Sequence, residues 1–307
     1  MARYVAKRLL LGVCAIFVLA TITFFLMKII PGNPFHRENK TLSAEQMAKL
    51  NEQFGLDKPL FQQYLTYMSR AIKGDFGESI KRQGTPVVHI IARSAPVTAK
   101  LGIVAFTVAI TVGISFGVIS ALSKNRVVNG SITVFATLGV SIPGFLLAIF
   151  LMLVFGVKLG WFKLIGLDTW KHYVLPAFAL ALSPISTITR LTRSSLMDVM
   201  SKDYITLARS KGTSELLVVV KHGLKNALLP VVTYCGTMLV GLLTGSFVIE
   251  TLFSIPGIGS EFVRSVTNRD YTLIMGLTIF LGTLMIIMNI IADLVAAAID
   301  PRIKFDK

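Results

Sequence analysis

Charge is scarce in this chain. Asp, Glu, Lys and Arg make up only 15% of its 307 residues, while 53% are hydrophobic; soluble domains carry about 25% charged residues. Together with a mean hydropathy of +0.70, this excludes an ordinary water-soluble domain and places the chain among polytopic membrane proteins. Cysteine is nearly absent: Cys14 and Cys235 both lie in apolar runs without metal-ligand spacing, so they are expected to pack as small hydrophobes rather than bridge or bind metal. The four histidines, His36, His89, His172 and His222, fall outside the apolar runs. An intramembrane hydrolase needs a nucleophile facing a base, or two buried carboxylates, at similar depth. Ser141 in Gly139-Val-Ser141 has no such base. No Gly-x-x-x-x-Gly-Lys-Ser/Thr loop is present to cradle a nucleotide, so the chain is read as no enzyme, and any energy must reach it through a partner. Charge intrudes on the apolar runs only at Lys28, just past the first, and at Glu250 and Asp293, each near the end of its run. That scarcity argues against a proton- or sodium-driven mechanism, which uses carboxylates at mid-depth.

What the chain has in quantity is apolar runs of spanning length. Leu9–Met27, Leu101–Leu122, Ile132–Val157, Val174–Thr189, Leu228–Phe253 and Leu273–Ala298 predict an all-α polytopic protein with six transmembrane helices. An even number of spans puts both termini on one side. Lys and Arg outnumber Asp and Glu 31 to 16, and the excess marks that side. Arg3, Lys7 and Arg8 precede the first run, and Lys124 and Arg126 follow the second. Arg190, Arg193, Lys202, Arg209, Lys211, Lys221 and Lys225 follow the fourth, and Arg302, Lys304 and Lys307 close the chain. By the positive-inside rule this face is cytoplasmic. The basic residues are scattered between spans rather than gathered on one soluble face with stacking aromatics, which excludes nucleic acid and suits a lipid membrane.

Residues 31–96 then form an extracytoplasmic helical segment. Ser43 and Gln46 make a capping box, Met47, Leu50 and Phe54 share a helical face, and Gly55 is the stop. Asp57 and Pro59 open a second helix with the stripe Leu60, Phe61, Tyr64, Leu65, Met68 and Ile72, ended by Gly74. The stripe either covers the spans or forms a platform for an external partner. Inside the spans, Pro143 with Gly144 and Pro184 should kink helices. Gly113 with Gly117, and Gly241 with Gly245, have the spacing of close helix approach. Ser141, Pro143, Gly241, Gly245 and Glu250 are candidates for the lining of a path; Glu250 itself is expected at the outer interface or beside a cation.

The loop of residues 190–228 is the most informative stretch. Ser201 is expected to cap a helix over Lys202–Lys211, with Asp203 in its first turn and Arg209 and Lys211 in its last. Gly212 breaks it. Thr213 or Ser214 then caps a second helix with Glu215 at its positive end and the body Leu216–Val220. A short helix with exposed leucines suits a groove on another protein, or the membrane surface.

This loop resembles the "EAA" loop of binding-protein-dependent ABC importer permeases, with Thr206-Leu207-Ala208 at the Glu-Ala-Ala positions and Gly212 at the motif glycine. Thr replaces Glu, Leu replaces the first Ala, and Leu224-Lys225 stands where Leu-Pro is usual. The resemblance to the B-subunit type of the oligopeptide and dipeptide branch extends along the whole chain. It runs through Arg8, Pro31-Gly-Asn-Pro34, Gly55-Leu-Asp-Lys-Pro59, Gly74-Asp-Phe-Gly77, Arg93-Ser-Ala-Pro96 and Ala208-Arg-Ser-Lys-Gly212. It continues in Lys221-His222 with Asn226-Ala227, Ile249-Glu-Thr-Leu-Phe-Ser-Ile-Pro-Gly-Ile-Gly259, Asn268-Arg-Asp-Tyr271 and Asp300-Pro-Arg302. It implies a type I ABC importer permease fold over residues 1–307, in the bacterial cytoplasmic membrane. It further implies a heterodimer with a second homologous permease, two cytoplasmic ATPases that hold ATP and Mg, and an external peptide-binding protein; the chain itself holds no cofactor. Thr206, Leu207, Ala208, Gly212, Thr213, Ser214, Glu215 and Leu216 would lie near the ATPase, and alternating access would move peptide inward. Nickel or glycans are alternative cargoes of similar permeases, and a stand-alone secondary transporter is the alternative class.

Overall fold

The computed structural model describes residues 2–29, 35, 43–167 and 169–299. Pro31-Gly-Asn-Pro34, His36, Asp300-Pro-Arg302, Lys304 and Lys307 lie outside the described residues, as does the side chain of Arg3. The described residues are mostly helical, with an isolated Glu78 to Pro86 bridge as their only β pairing. Four helices are long and apolar enough to cross a membrane: α1 (Ala2–Ile29), α4 (Val87–Leu122), α7 (Lys171–Met200) and α13 (Tyr271–Ile299). Two bent pairs raise the number to six if each is one span: α5 (Arg126–Ser141) with α6 (Gly144–Lys158), and α9 (Glu215–Ala227) with α10 (Leu229–Leu243).

The bent pairs depart from the run-length reading. The apolar run Ile132–Val157 is not a continuous helix: it folds through 107° at Ile142-Pro143. Proline has no amide hydrogen to continue the ladder and forces the preceding residue out of the helical region; Ile142 is extended, at φ −82° and ψ 120°. The run Leu228–Phe253 is likewise interrupted. α10 ends at Leu243 after about 22 Å of rise, Gly245 turns the chain at φ +88°, and the Ser246 hydroxyl accepts from the Ile249 amide to cap α11 (Phe247–Leu252). α7 departs the other way, running past Thr189 to Met200.

The chain divides into two compact units, Met1–Thr98 with Pro256–Ile287, and Ala99–Ile255 with Met288–Lys307. In the first unit both halves of the capping box form: the Ser43 hydroxyl accepts from the Gln46 amide, and the Gln46 side chain accepts from the Ser43 amide. The resulting α2 (Ala44–Gln53) and α3 (Leu60–Ala71) are turned at Gly55 and stopped at Gly74, with φ +64° and +78°. Their apolar residues Met47, Leu50, Phe54, Tyr64 and Met68 pack with Ala20, Phe24 and Met27 of α1 and Tyr271, Ile274 and Met275 of α13. Of the predicted stripe, Tyr64 and Met68 therefore cover the spans, while Leu60, Phe61, Leu65 and Ile72 remain exposed. The Lys28 ammonium, at the end of α1, donates to the Gln63 side chain at 2.7 Å.

In the second unit α7 is the central rod, and its neighbours approach it through glycine. A Cβ on Gly113 would sit 2.7 Å from Ile188 Cβ, and one on Gly117 or Gly139 would collide with Thr192 or Ser186. Gly113 and Gly117 thus make the close approach that their spacing predicts. Gly241 and Gly245 do not: Gly241 faces open space, and Gly245 lies beyond the end of α10. The same four-residue interval has two outcomes because a small residue matters only where another helix lies opposite it.

Candidate functional site

The loop after α7 folds as two short helices closed by a single turn. α8 (Asp203–Ser210) begins at Lys202, which occupies the cap position with extended backbone and no side-chain cap. The Ser201 hydroxyl donates instead to the Asp198 carbonyl, so Ser201 ends α7 and does not cap α8. Asp203 is the first residue of α8, where its charge faces the positive helix end. At the other end, the Gly212 amide donates to Arg209 and the Thr213 amide to Ala208. These two bonds make a Schellman turn with glycine at the left-handed position, and Gly212 has φ +80°. The reversal expected of Gly212 is present.

Ser214 occupies the next cap position without a side-chain bond, and Glu215 opens α9. The Arg209 guanidinium grips the Glu215 carboxylate with two bonds, 2.8 and 3.3 Å, across the turn. Beyond Leu217 the backbone widens into a π-helical segment, Val218–Leu224, that composition did not predict. The two helices close on a small core of Ile205, Ala208 and Val218, with Val199 and Met200 from α7. The Asn226 amide also donates to the Tyr204 hydroxyl at 3.1 Å. A Cβ on Gly223 would stand 3.2 Å from both Leu196 and Met200. Through Gly223 the loop is seated on α7, and through Gly113, Gly117 and Gly139 that helix is seated in turn on α4 and α5.

Of the candidate loop residues, Thr206, Leu207, Gly212, Ser214, Glu215 and Leu216 are exposed, Thr213 is half-buried, and Ala208 points into the core. Leu216 is 76% exposed, Leu207 56% and Leu217 51%. An apolar tip on a paired base, closed by the Schellman turn and the Arg209–Glu215 pair, is a shape that fits a groove. Of the candidate path residues, Ser141, Pro143 and Gly241 are exposed, and Ser141 donates to Thr137. Glu250 in α11 is wholly buried.

One constellation went unremarked in the sequence. Asp270, 2% exposed, accepts from the Ser79 hydroxyl, from the amides of Ile80 and Lys81 at 3.0 and 3.3 Å, and from the Leu273 amide and Thr272 hydroxyl of α13. It caps α13 while holding a strand-like segment about 190 residues away in sequence. Arg269 adopts φ +55° at the end of α12 (Ile258–Thr267) and turns Asp270 inward. The detectable signal was an Asp directly before an apolar run, a helix-start mark; nothing local named its distant partners.

Two family models match the chain: "Binding-protein-dependent transport system inner membrane component" over residues 113–305, and the N-terminal model of the same membrane component over residues 1–102. The chain belongs to this family of binding-protein-dependent transport permeases, and its fold is that of type I ABC importer permeases. It is 45% identical over 310 residues to the dipeptide transport system permease protein DppB of Bacillus subtilis (strain 168), covering 100% of this chain and 99% of that protein. It is 41% identical to the oligopeptide permease protein OppB of Escherichia coli K12, over 99% of this chain and all of that protein. Among solved structures, a chain of the inward-facing MetNI methionine ABC transporter matches with TM-score 0.58 and 17% identity, over 69% of this chain and 96% of that one.

Proposed function

We propose that this chain is a membrane subunit of an ATP-driven peptide importer. The observation that carries the reading is similarity over the full length to permeases named for dipeptide and oligopeptide transport. In this reading the chain pairs with a second homologous permease, two ATPases bind ATP and Mg on the cytoplasmic side, and an external binding protein delivers peptide. Both termini and the Gly212 loop are cytoplasmic, as the distribution of Lys and Arg suggests.

The apolar tip at Leu207 and Leu216 docks on an ATPase. Because the loop rests on Leu196 and Met200 of α7, displacement of the loop moves α7 and the helices packed on it by glycine. That displacement tips the spans between inward-open and outward-open forms. Ser141, Pro143, Gly241, Gly245 and Glu250 belong to the segments next to the two broken spans, where freed backbone groups can line a path. The test is Gly212→Leu in the assembled complex. A bulky residue at φ +80° strains the backbone by about 1–2 kcal/mol, and the expected result is loss of peptide-stimulated ATP hydrolysis with assembly retained. Unchanged coupling overturns the role of the loop, and an associated external protein that binds nickel tightly and no peptide overturns the cargo.

A further inference from the structure

The first unit holds a cavity of about 470 Å³, within the range of small-ligand sites, ~300–1,000 Å³. Its charged lining is Arg82, His89, Arg93 and Glu261. Glu261 is 5% exposed and already paired with Arg82 at 2.7 Å, so its negative charge is neutralised within the wall. Arg93 has no hydrogen-bond or ion-pair partner among the described residues, nor has the His89 ring. The two are four residues apart near the start of α4, on one helical face. Two guanidiniums against one carboxylate leave the cavity net positive, and the positive end of α4 adds to that potential. Arg93 stands eight residues before the apolar run that begins at Leu101, about 12 Å along the helix, so these charges lie beyond the hydrocarbon.

We propose that this cavity receives the C-terminal carboxylate of a peptide, with Arg93 as its bidentate partner. This rests on the peptide-importer reading. A planar guanidinium with free donors matches a carboxylate with two parallel hydrogen bonds. The Ser94 and Thr85 hydroxyls supply further donors beside it, and Ile90, Val97 and Pro256 form an apolar wall. A carboxylate attached to a side chain uses both surfaces.

The experiment uses the complex with its copurifying subunits in phosphatidylcholine vesicles, and in parallel in vesicles containing phosphatidylglycerol. ATP-driven uptake of trialanine and of trialanine amide is measured for the wild type, Arg93→Gln and Arg93→Lys. The external binding protein is common to all three, so any selectivity of its own cancels in the comparison. Arg93→Gln is expected to raise KM for the free acid about tenfold, the weight of one charge-assisted hydrogen bond, and to leave the amide unmoved. Arg93→Lys is expected to recover part of the loss, because it keeps the charge without the fork. An acid-to-amide ratio equal in wild type and Arg93→Gln overturns the proposal. So does a loss that strikes both peptides alike and appears only with phosphatidylglycerol, which assigns the site to lipid. A wild-type complex that moves neither peptide overturns the cargo reading together with this proposal, whereas uptake with an unchanged ratio overturns the cavity alone.

Discussion

The Asp270 clasp and the Gly212 loop are both polar structures set at the ends of apolar helices, yet they treat their own surfaces in opposite ways. The clasp turns its charge inward: Asp270 is buried and accepts hydrogen bonds from five groups on two segments distant in sequence. The loop turns its apolar side chains outward: Leu207, Leu216 and Leu217 are more than half exposed, above a core of three buried residues. One is complete within the chain, and the other presents what a folded chain ordinarily covers. On the reading proposed above, the difference separates a device that fixes structure from one that docks on a partner.

The largest expected effect tests the clasp. Asp270→Ala leaves the amides of Ile80 and Lys81 and the Ser79 hydroxyl without their acceptor in a buried place, and should destabilise the protein by about 3 kcal/mol. Thermal unfolding in detergent reads this out. Asp270→Asn keeps one acceptor oxygen and should lose less. If Asp270→Ala unfolds at the wild-type temperature, the clasp is not structural and the comparison fails.

Next in size is the glycine seam of α7. Gly117→Val drives a side chain into Thr192 and should lower stability by about 2 kcal/mol. Gly241→Ala, with open space around it, should instead be neutral or add up to about 1 kcal/mol through helix propensity. The pair asks whether the rod that carries the loop is set by close packing. Equal effects at the two positions would mean that it is not.

These two glycines also mark how far the sequence could be read. Periodicity and caps found the outer helices because Ser43, Gln46, Gly55 and Gly74 act on their own neighbours, and Gly212 acts in the same local way. Run length found the apolar segments and Pro143 marked the break in the third, but the 107° size of that fold was not legible, since hydropathy counts residues without regard to direction. Facing relations were invisible. Gly117 and Gly241 have the same spacing signal, and only the helix opposite separates them. Ala208 lay in the loop motif and was expected near the docking surface, but its neighbour in space is Val218, across a turn whose closure no single-residue preference specifies. Asp270 showed its cap role locally and hid its bonds to Ser79, Ile80 and Lys81, because contacts across so long a stretch of chain leave no mark in either segment alone.

The loop tip ranks third. Leu216→Ser with Leu217→Ser removes exposed apolar surface that contributes nothing to the small core, so the unfolding temperature should stay within about a degree or two. ATPase copurification should fall about tenfold, as expected when a buried leucine contact of 1.5–3 kcal/mol is lost at an interface. A fall in thermal stability without loss of ATPase would make the tip part of the fold and erase its contrast with the clasp.

The smallest effect lies at the exposed margin of the first unit, where Asp75 gives a measure of what a polar contact is worth outside the clasp. The hydrogen bond from Arg70, and then the Gly77 amide, hold the Asp75 carboxyl below the ordinary carboxylate range. A group whose folded pKa is depressed contributes stability above its unfolded pKa, near 3.9, and loses it as pH falls through the lower folded value. Both partners are 54% exposed, so solvent screening limits the contribution to about 0.5 kcal/mol. Arg70→Gln should therefore lower stability slightly at neutral pH and match the wild type once Asp75 is protonated in both. Unfolding curves of the two proteins at neutral and strongly acidic pH decide this. A difference that persists in acid would mean that Arg70 acts through packing of its stem rather than through its charge, and an effect as large as that of Asp270→Ala would abolish the distinction between buried and exposed polar contacts on which the comparison rests.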